Sequence, residues 1–231
     1  MIHCLLYVVG YMKKKSKFVN FLLGIITRRI LKRRVKTFHK HADEILNKFL
    51  DYAKQCNVEV FLFWGTHLGA YRDHNFIPHD CDMDFAVKSQ EDIARLKQNL
   101  EGSGFTLLSE YFIPGEGIQE IKFAYNKVSF DIFYISTTDT DCFAYCFDLV
   151  VRCHDGYALC APVQYHFPIF GLSEIDFRGT KCLIPEDSQG VLSAIYGDDF
   201  MTPNPKHKSG SKCKHKVCFD YWVKSGFLKQ Y

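Results

Sequence analysis

The first 42 residues contain no carboxylate: eleven Lys and Arg precede Asp43, the first acid of the chain. Residues 43–200 reverse that balance with 11 basic and 25 acidic side chains, and residues 201–231 hold seven Lys against one Asp. The formal total of +3 therefore hides an acidic body with basic ends. That distribution argues against a broad polyanion groove and against nucleic acid as a partner. Long apolar runs are missing too. Residues 2–12 and 18–26 both stop short of the roughly 18 residues of a spanning helix, and neither meets a small-residue cleavage site. Proline is scarce, at seven of 231 residues, and no repeat is evident, which excludes a collagenous or low-complexity chain.

What is present suits one folded domain with appendages. At 47% hydrophobic and 24% charged, the chain can bury a sizeable core. Ten cysteines without a secretory pattern read as reduced thiols in a cytoplasmic protein, most of them packed as small hydrophobes. Between 18 and 38, Phe18, Leu22, Ile25 and Ile26 share a helical face and basic residues thicken from Arg28 to Lys36. Two readings stay open for this basic amphipathic segment, residues 1–36. Residues 13–36 make peripheral contact with an anionic membrane surface, or the helix packs on the body with its charges solvated.

Phe38, Ala42, Ile45, Leu46, Phe49, Leu50 and Ala53 recur at helical spacing, which predicts a helix over 37–55 ended by Asn57. Residues 58–64 read as a buried strand, with Gly65 and Gly69 punctuating the turn that follows. Strands are expected at 83–87, 105–109, 120–125 and 128–135, the last two joined by a tight turn at Asn126-Lys127. Ser89 with Asp92 three residues on marks a helix start. A hairpin at 174–184 and a helix over 186–196 complete an α+β pattern, a mixed sheet flanked by helices. The tail from 206 reads as basic and exposed, with Phe219, Trp222 and Phe227 able to dock back.

The chemistry concentrates between Gly65 and Asp131. Asp82 and Asp84 sit two apart at the mouth of a strand, so both project to one side. Two adjacent carboxylates repel unless a cation lies between them, and an oxygen-only ligand set favours Mg²⁺ or Mn²⁺. Asp131 brings a third carboxylate from a neighbouring strand, on a face shared with Phe133 and Ile135. Cys213, His215 and Cys218, with His207 upstream, have the residue types of a zinc site at irregular spacing.

The ordered blocks Gly65-Thr66-His67-Leu68-Gly69-Ala70, Arg72, Phe76-Ile77-Pro78-His79-Asp80-Cys81-Asp82-Met83-Asp84-Phe85, Asp131-Ile132-Phe133 and Tyr196-Gly197-Asp198-Asp199 resemble the LicD/fukutin-related family of phosphotransferases. The match runs over residues 37–205. It departs at His67, where the pattern has Leu, at His79, where it has Trp, and at Cys81, where it has Asp. The resemblance implies a nucleotidyltransferase, DNA-polymerase-β-like core. It also implies transfer of a phospho-alcohol, such as phosphocholine or ribitol phosphate, from a CDP-alcohol donor to a sugar hydroxyl of a glycan, with release of CMP. In that reading Asp82, Asp84 and Asp131 are catalytic and hold the metal. Gly65, Thr66 and Arg72 bind the donor diphosphate, with Arg72 pairing to Asp80 or Asp73 as the plainer alternative, and Asp80 orients a ligand. Nucleotidyl transfer from an NTP and a non-catalytic membrane-peripheral role on the same fold are the competing readings.

Overall fold

The computed structural model describes residues 17–152, 156–204 and 210–231. The apolar run 2–12, the first lysines of the basic segment and His207 lie outside the described residues.

Helix α1, Lys17–Gln55, is continuous through the junction at 36/37. The basic segment and the expected helix form one rod because no Gly-Pro or capping signal interrupts them. Its spacing works as expected: Phe38, Ala42, Ile45, Leu46, Phe49 and Ala53 are buried. Asn57 closes it in the left-handed region (φ 52°), with Val58 N–H donating to Ala53 O at 2.9 Å. Ile26 and Leu31, earlier on the rod, are 46% and 48% exposed.

A short strand β1 (Phe61–Leu62) leads into helix α2 (Trp64–Asp73), then strand β2 (Asp84–Val87) and helix α3 (Gln90–Gln98). Ser89 Oγ caps α3 by accepting from Glu91 and Asp92 N–H. Strands β3 (Thr106–Ile113), β4 (Gly117–Tyr125) and β5 (Val128–Tyr134) follow, with Asn126 and Lys127 both at positive φ in the β4–β5 turn. After β6 (Ser136–Thr137) comes a long hairpin of β7 (Cys142–Arg152) and β8 (Tyr157–Phe167), then a shorter one of β9 (Leu172–Phe177) and β10 (Thr180–Pro185). Helix α4 (Ser188–Tyr196), capped by Asp187, precedes strands β11 (His215–Cys218) and β12 (Gly226–Gln230).

Ten strands form one sheet in the order β1-β2-β5-β4-β3-β12-β8-β7-β6, with β11 paired beside β12 on β8. This is α+β architecture. Three expectations need correction. The strand over 58–64 shrinks to two residues because Trp64 takes φ 40° and starts α2. Residues 142–167, where no strand was expected, form the β7–β8 hairpin, the longest in the sheet. The residues read as an exposed tail supply two strands, and Phe227 docks by stacking on Phe112 at 5.6 Å.

The core has two layers. On one side of the sheet α1 meets Phe85, Phe123, Phe130 and Ile132, with Phe49 4.5 Å from Phe85 and 4.9 Å from Phe130. Each such buried ring contributes on the order of 1.5–3 kcal/mol. On the other side α4 places Val191, Ala194 and Ile195 against Ala86, Phe133 and Phe167. Arg178 clamps the β9–β10 turn to α1 with two bonds to Asp43, at 2.9 and 2.8 Å. The first layer fixes the height of β2 and β5, and with it the carboxylates on their opposite face.

Candidate active site

The sheet pairs β2 with β5 in parallel register, Asp84 beside Asp131. Neighbouring strands lie about 4.8 Å apart, so two acids share one row. Backbone bonds set that row: Asp131 N–H donates to Met83 O at 2.9 Å, and Phe63 N–H to Asp84 O at 3.1 Å. The start of α2 then closes over Asp84. Gly65 N–H donates to Asp84 Oδ2 at 3.0 Å, and Thr66 Oγ1 accepts from Asp84 N–H at 2.9 Å. A Cβ on Gly65 would lie 3.2 Å from Asp80 Oδ2 and 3.3 Å from Asp84 Oδ2, so a larger residue there would press on both carboxylates.

Asp80, Asp82, Asp84 and Asp131 act on one another electrically. Burial, then repulsion from Asp82, Asp131 and Asp80, pushes the Asp84 carboxyl well above the usual range, against one bond from Gly65. Burial and Asp82 raise Asp80 to about 7, against the pull of Arg72. Asp131 is raised to about 6 by burial, with Lys122 opposing and Asp82 adding. Tyr196 lies close enough for Asp84 and Asp80 to add to the burial that raises its phenol.

Two residues of this centre were not expected. Lys122, opposite Asp131 on β4, places Nζ 2.9 Å from Asp131 Oδ1. The contact is an ion pair that pulls Asp131 down against its burial. Glu120, two residues earlier on the same face, is buried and raised to about 8 by burial and Asp131. A signal existed for both. A two-residue turn at Asn126-Lys127 pairs Lys122 with Asp131 by counting outward from it. Arg34 of α1 also contributes, its charge lowering both Asp131 and Cys81.

The remaining expected residues fall as follows. Arg72 is engaged by Asp73, with bonds of 3.0, 3.0 and 2.7 Å, and donates to Phe200 O at 3.3 Å; its charge still reaches Asp80. His67, at the departure from the family pattern, is buried in α2 and bonds Ser188 Oγ at 2.8 Å. His79 is exposed. Asp198 and Asp199 form a solvated turn paired with Lys214 and Lys212. Cys213 Sγ contacts His215 O at 3.3 Å, and Cys218 is exposed.

Among the described residues no three His, Cys, Asp or Glu side chains are grouped closely enough to hold an ion as they stand. The donor chemistry nonetheless fits a hard divalent cation. Asp82, Asp84 and Asp131 present only oxygens, and Asp82 repels both of the others.

A family model described as "LicD/FKTN/FKRP, nucleotidyltransferase domain" matches residues 57–187. The chain belongs to this family. The LicD match contains Gly65, Thr66, Arg72, Asp80, Asp82, Asp84, Glu120, Lys122 and Asp131, hence the whole carboxylate row. The chain is also similar to the uncharacterized protein T07A5.1 of Caenorhabditis elegans, at 35% identity over 80 residues, which is 35% of this chain. It spans about a fifth of that relative, 21% of its length. Membership of the LicD family suggests a transferase associated with glycan modification. No described helix is long and apolar enough to cross a membrane.

Proposed function

We propose that this LicD-family chain transfers a phospho-alcohol from a CDP-alcohol to a sugar hydroxyl of a glycan and releases CMP. The observation that carries this reading is the parallel pairing of Asp84 with Asp131, under a glycine-bounded helix start. We further propose that the β1-β2-β5-β4 part of the sheet is a nucleotidyltransferase core. Mg²⁺ or Mn²⁺, when bound, would neutralise charge on the diphosphate and on the leaving CMP.

The chain's own residues do the rest. Asp82, Asp84 and Asp131 would hold the ion. The first turn of α2 positions Asp84, and Gly65 and Thr66 would lie against the donor diphosphate held there. Arg72 adds positive charge near Asp80, and Asp80 orients the approach to Asp84. A bond forms from the acceptor oxygen to the phosphorus carrying the alcohol, and the bridging P–O bond to CMP breaks. The acceptor proton would pass to a carboxylate, which we assign to Asp131. The exposed arginines and lysine of α1, Arg28, Arg29, Lys32 and Arg33, suit peripheral contact with an anionic membrane surface, which would keep a cytoplasmic transferase near lipid-linked acceptors.

The test is a panel of CDP-choline, CDP-ribitol, CDP-glycerol and CDP-ethanolamine, each assayed with Mg²⁺ for CMP release. CMP release that Asp84→Ala abolishes supports the reading. Pyrophosphate release from an NTP instead points to nucleotidyl transfer. Absence of both, together with no divalent-cation binding by calorimetry, points to a non-catalytic role.

A further inference from the structure

The two most exposed large hydrophobic side chains among the described residues are neighbours on one turn. Val223 is 74% exposed and Trp222 69%, and Tyr221 before them is 37% exposed. The Tyr221 and Trp222 rings pack edge to face at 4.8 Å, so they project as one unit. The turn, residues 220–225, joins edge strand β11 to β12, which returns between β3 and β8.

The turn holds its shape through its own bonds. Val223 and Lys224 N–H both donate to Asp220 O, at 2.9 and 3.0 Å, and Ser225 Oγ donates to Tyr221 O at 2.5 Å. Its base is pinned to the sheet. Phe219 N–H donates to Pro162 O at 3.0 Å, and Lys224 pairs with Glu116 and bonds the Tyr145 hydroxyl. Backbone groups satisfied inside the turn let its tip leave water at low cost. The tip itself adds little to folding, since Trp222 and Val223 bury so little of their surface.

The size and chemistry of the tip select its partner. A stable protein interface takes about 20–30 residues a side, and here three side chains project. A bilayer surface needs only such a protrusion. Trp and Tyr settle at headgroup level, with the apolar ring body inward and the polar edge outward, and a Val beside them reaches the acyl boundary. The charge of the region agrees in sign with an anionic lipid surface. Residues 201–231 hold seven Lys against one acid, Asp220, and Lys216 and Lys229 lie on the strands that carry the turn. Attraction of this kind acts over about a Debye length, so the cations need not share a face with the tip.

We propose that the turn at 220–225 is a membrane-inserting element, with Tyr221, Trp222 and Val223 entering the interface of an anionic bilayer. It is a second attachment point beside the exposed cations of α1; it builds on the membrane contact proposed above and is independent of the transfer reading.

The test uses the full chain and vesicles of phosphatidylcholine with phosphatidylserine, with plain or brominated acyl chains. The chain has two tryptophans. Trp64 packs against Phe63, Phe133 and Tyr165 with its indole nitrogen buried, so quenching by brominated lipid reports Trp222. Emission should shift to the blue on binding and fall by about half or more with brominated chains. Trp222→Ser combined with Val223→Ser should weaken sedimentation with plain vesicles about tenfold at an unchanged melting temperature. Sedimentation without quenching overturns the proposal and leaves α1 as the attachment, as does a double variant that sediments like the parent. Association of the free protein that the double variant loses also overturns it, by assigning the tip to a contact between copies. A parent that does not sediment overturns both attachments. A protein with the α1 cations reversed that still sediments and is still quenched would sink the α1 contact and keep this one.

Discussion

Asp84 and Asp131 stand side by side in the one parallel strand pairing among the described residues; burial and repulsion from Asp82 raise both carboxyls, and Asp131 adds to the repulsion on Asp84. A pair so placed opposes folding unless something positive joins it. Asp84→Asn keeps an oxygen for Gly65 N–H and removes one charge. In EDTA this variant should melt about 2–4 °C higher than the parent, the shift expected for about 1 kcal/mol in a chain of this size. It should lose CMP release and the rise in melting temperature that Mg²⁺ gives the parent. A variant that melts lower in EDTA would show that the repulsion is not felt.

Gly65 is the second place where the site constrains the chain. A methyl group there would press on carboxylate oxygens of both Asp80 and Asp84 at 3.2–3.3 Å. Gly65→Ala, inside a helix, gains propensity and loses geometry. The expected result is an unchanged or slightly raised melting temperature with activity down by at least about tenfold, a cost of about 1.4 kcal/mol in the transition state. Circular dichroism melts and CMP assays on the same sample check both halves.

Lys122 neutralises a buried acid pair, lying 2.9 Å from Asp131 and raised by Asp131 and Glu120 despite burial. Removing one partner of a buried ion pair costs about 3–5 kcal/mol when the group left behind is fully enclosed. Lys122 keeps 27% of its side chain in solvent, so Lys122→Met should cost nearer about 2 kcal/mol by urea melts at pH 8. Adding Glu120→Gln should restore part of that loss, because one of the two stranded acids is gone. Additive losses in the double variant would separate Glu120 from the network.

The residues that carry this network show how far the sequence could be read. The α1 core stripe, the hairpin turn at Asn126-Lys127 and the Asp84 and Asp131 strands follow from periodicity and turn chemistry, which act locally. Lys122 was legible through the turn count but hidden, because a lysine in an alternating strand ordinarily faces water. The β11 and β12 strands were not legible. His215 and Lys216 look like a solvated tail, and only pairing with β8, some 50 residues earlier, makes them strand. Arg34 belongs with these: nothing local to the basic run shows that its charge reaches Asp131.

Under the proposed function, that reach gives the basic helix two separate roles to test. Arg28, Arg29, Lys32 and Arg33 are exposed, whereas Arg34 is half-buried toward the carboxylate row. Reversing the four exposed charges to Glu should abolish sedimentation with phosphatidylserine vesicles and leave CMP release from a soluble donor within about twofold of the parent, since salt screens charges beyond about 10 Å. Arg34→Gln should do the opposite, sparing vesicle binding and weakening turnover. If both variants lose vesicle binding alike, the helix acts as a single cationic rod.

His67 weakens the fold as pH falls. Its ring is buried with Nε2 on Ser188 Oγ and Nδ1 without a partner, and burial lowers its pKa to about 3. The unfolded chain takes up a proton near the ordinary value of about 6.5, whereas the folded chain stays neutral until about 3. Between those values the unfolded state binds more protons, so stability falls as pH falls, by up to about 1.4 kcal/mol per pH unit from this group. His67→Leu removes the proton and the unpartnered nitrogen together. Ser188 keeps its bond to Pro185 O at 2.5 Å. The variant should match the parent within about 1 kcal/mol at pH 7.5 and unfold at visibly lower pH than the parent in urea melts taken from pH 7 to pH 4. Parallel slopes for the two proteins across that window would assign the acid limit to another group.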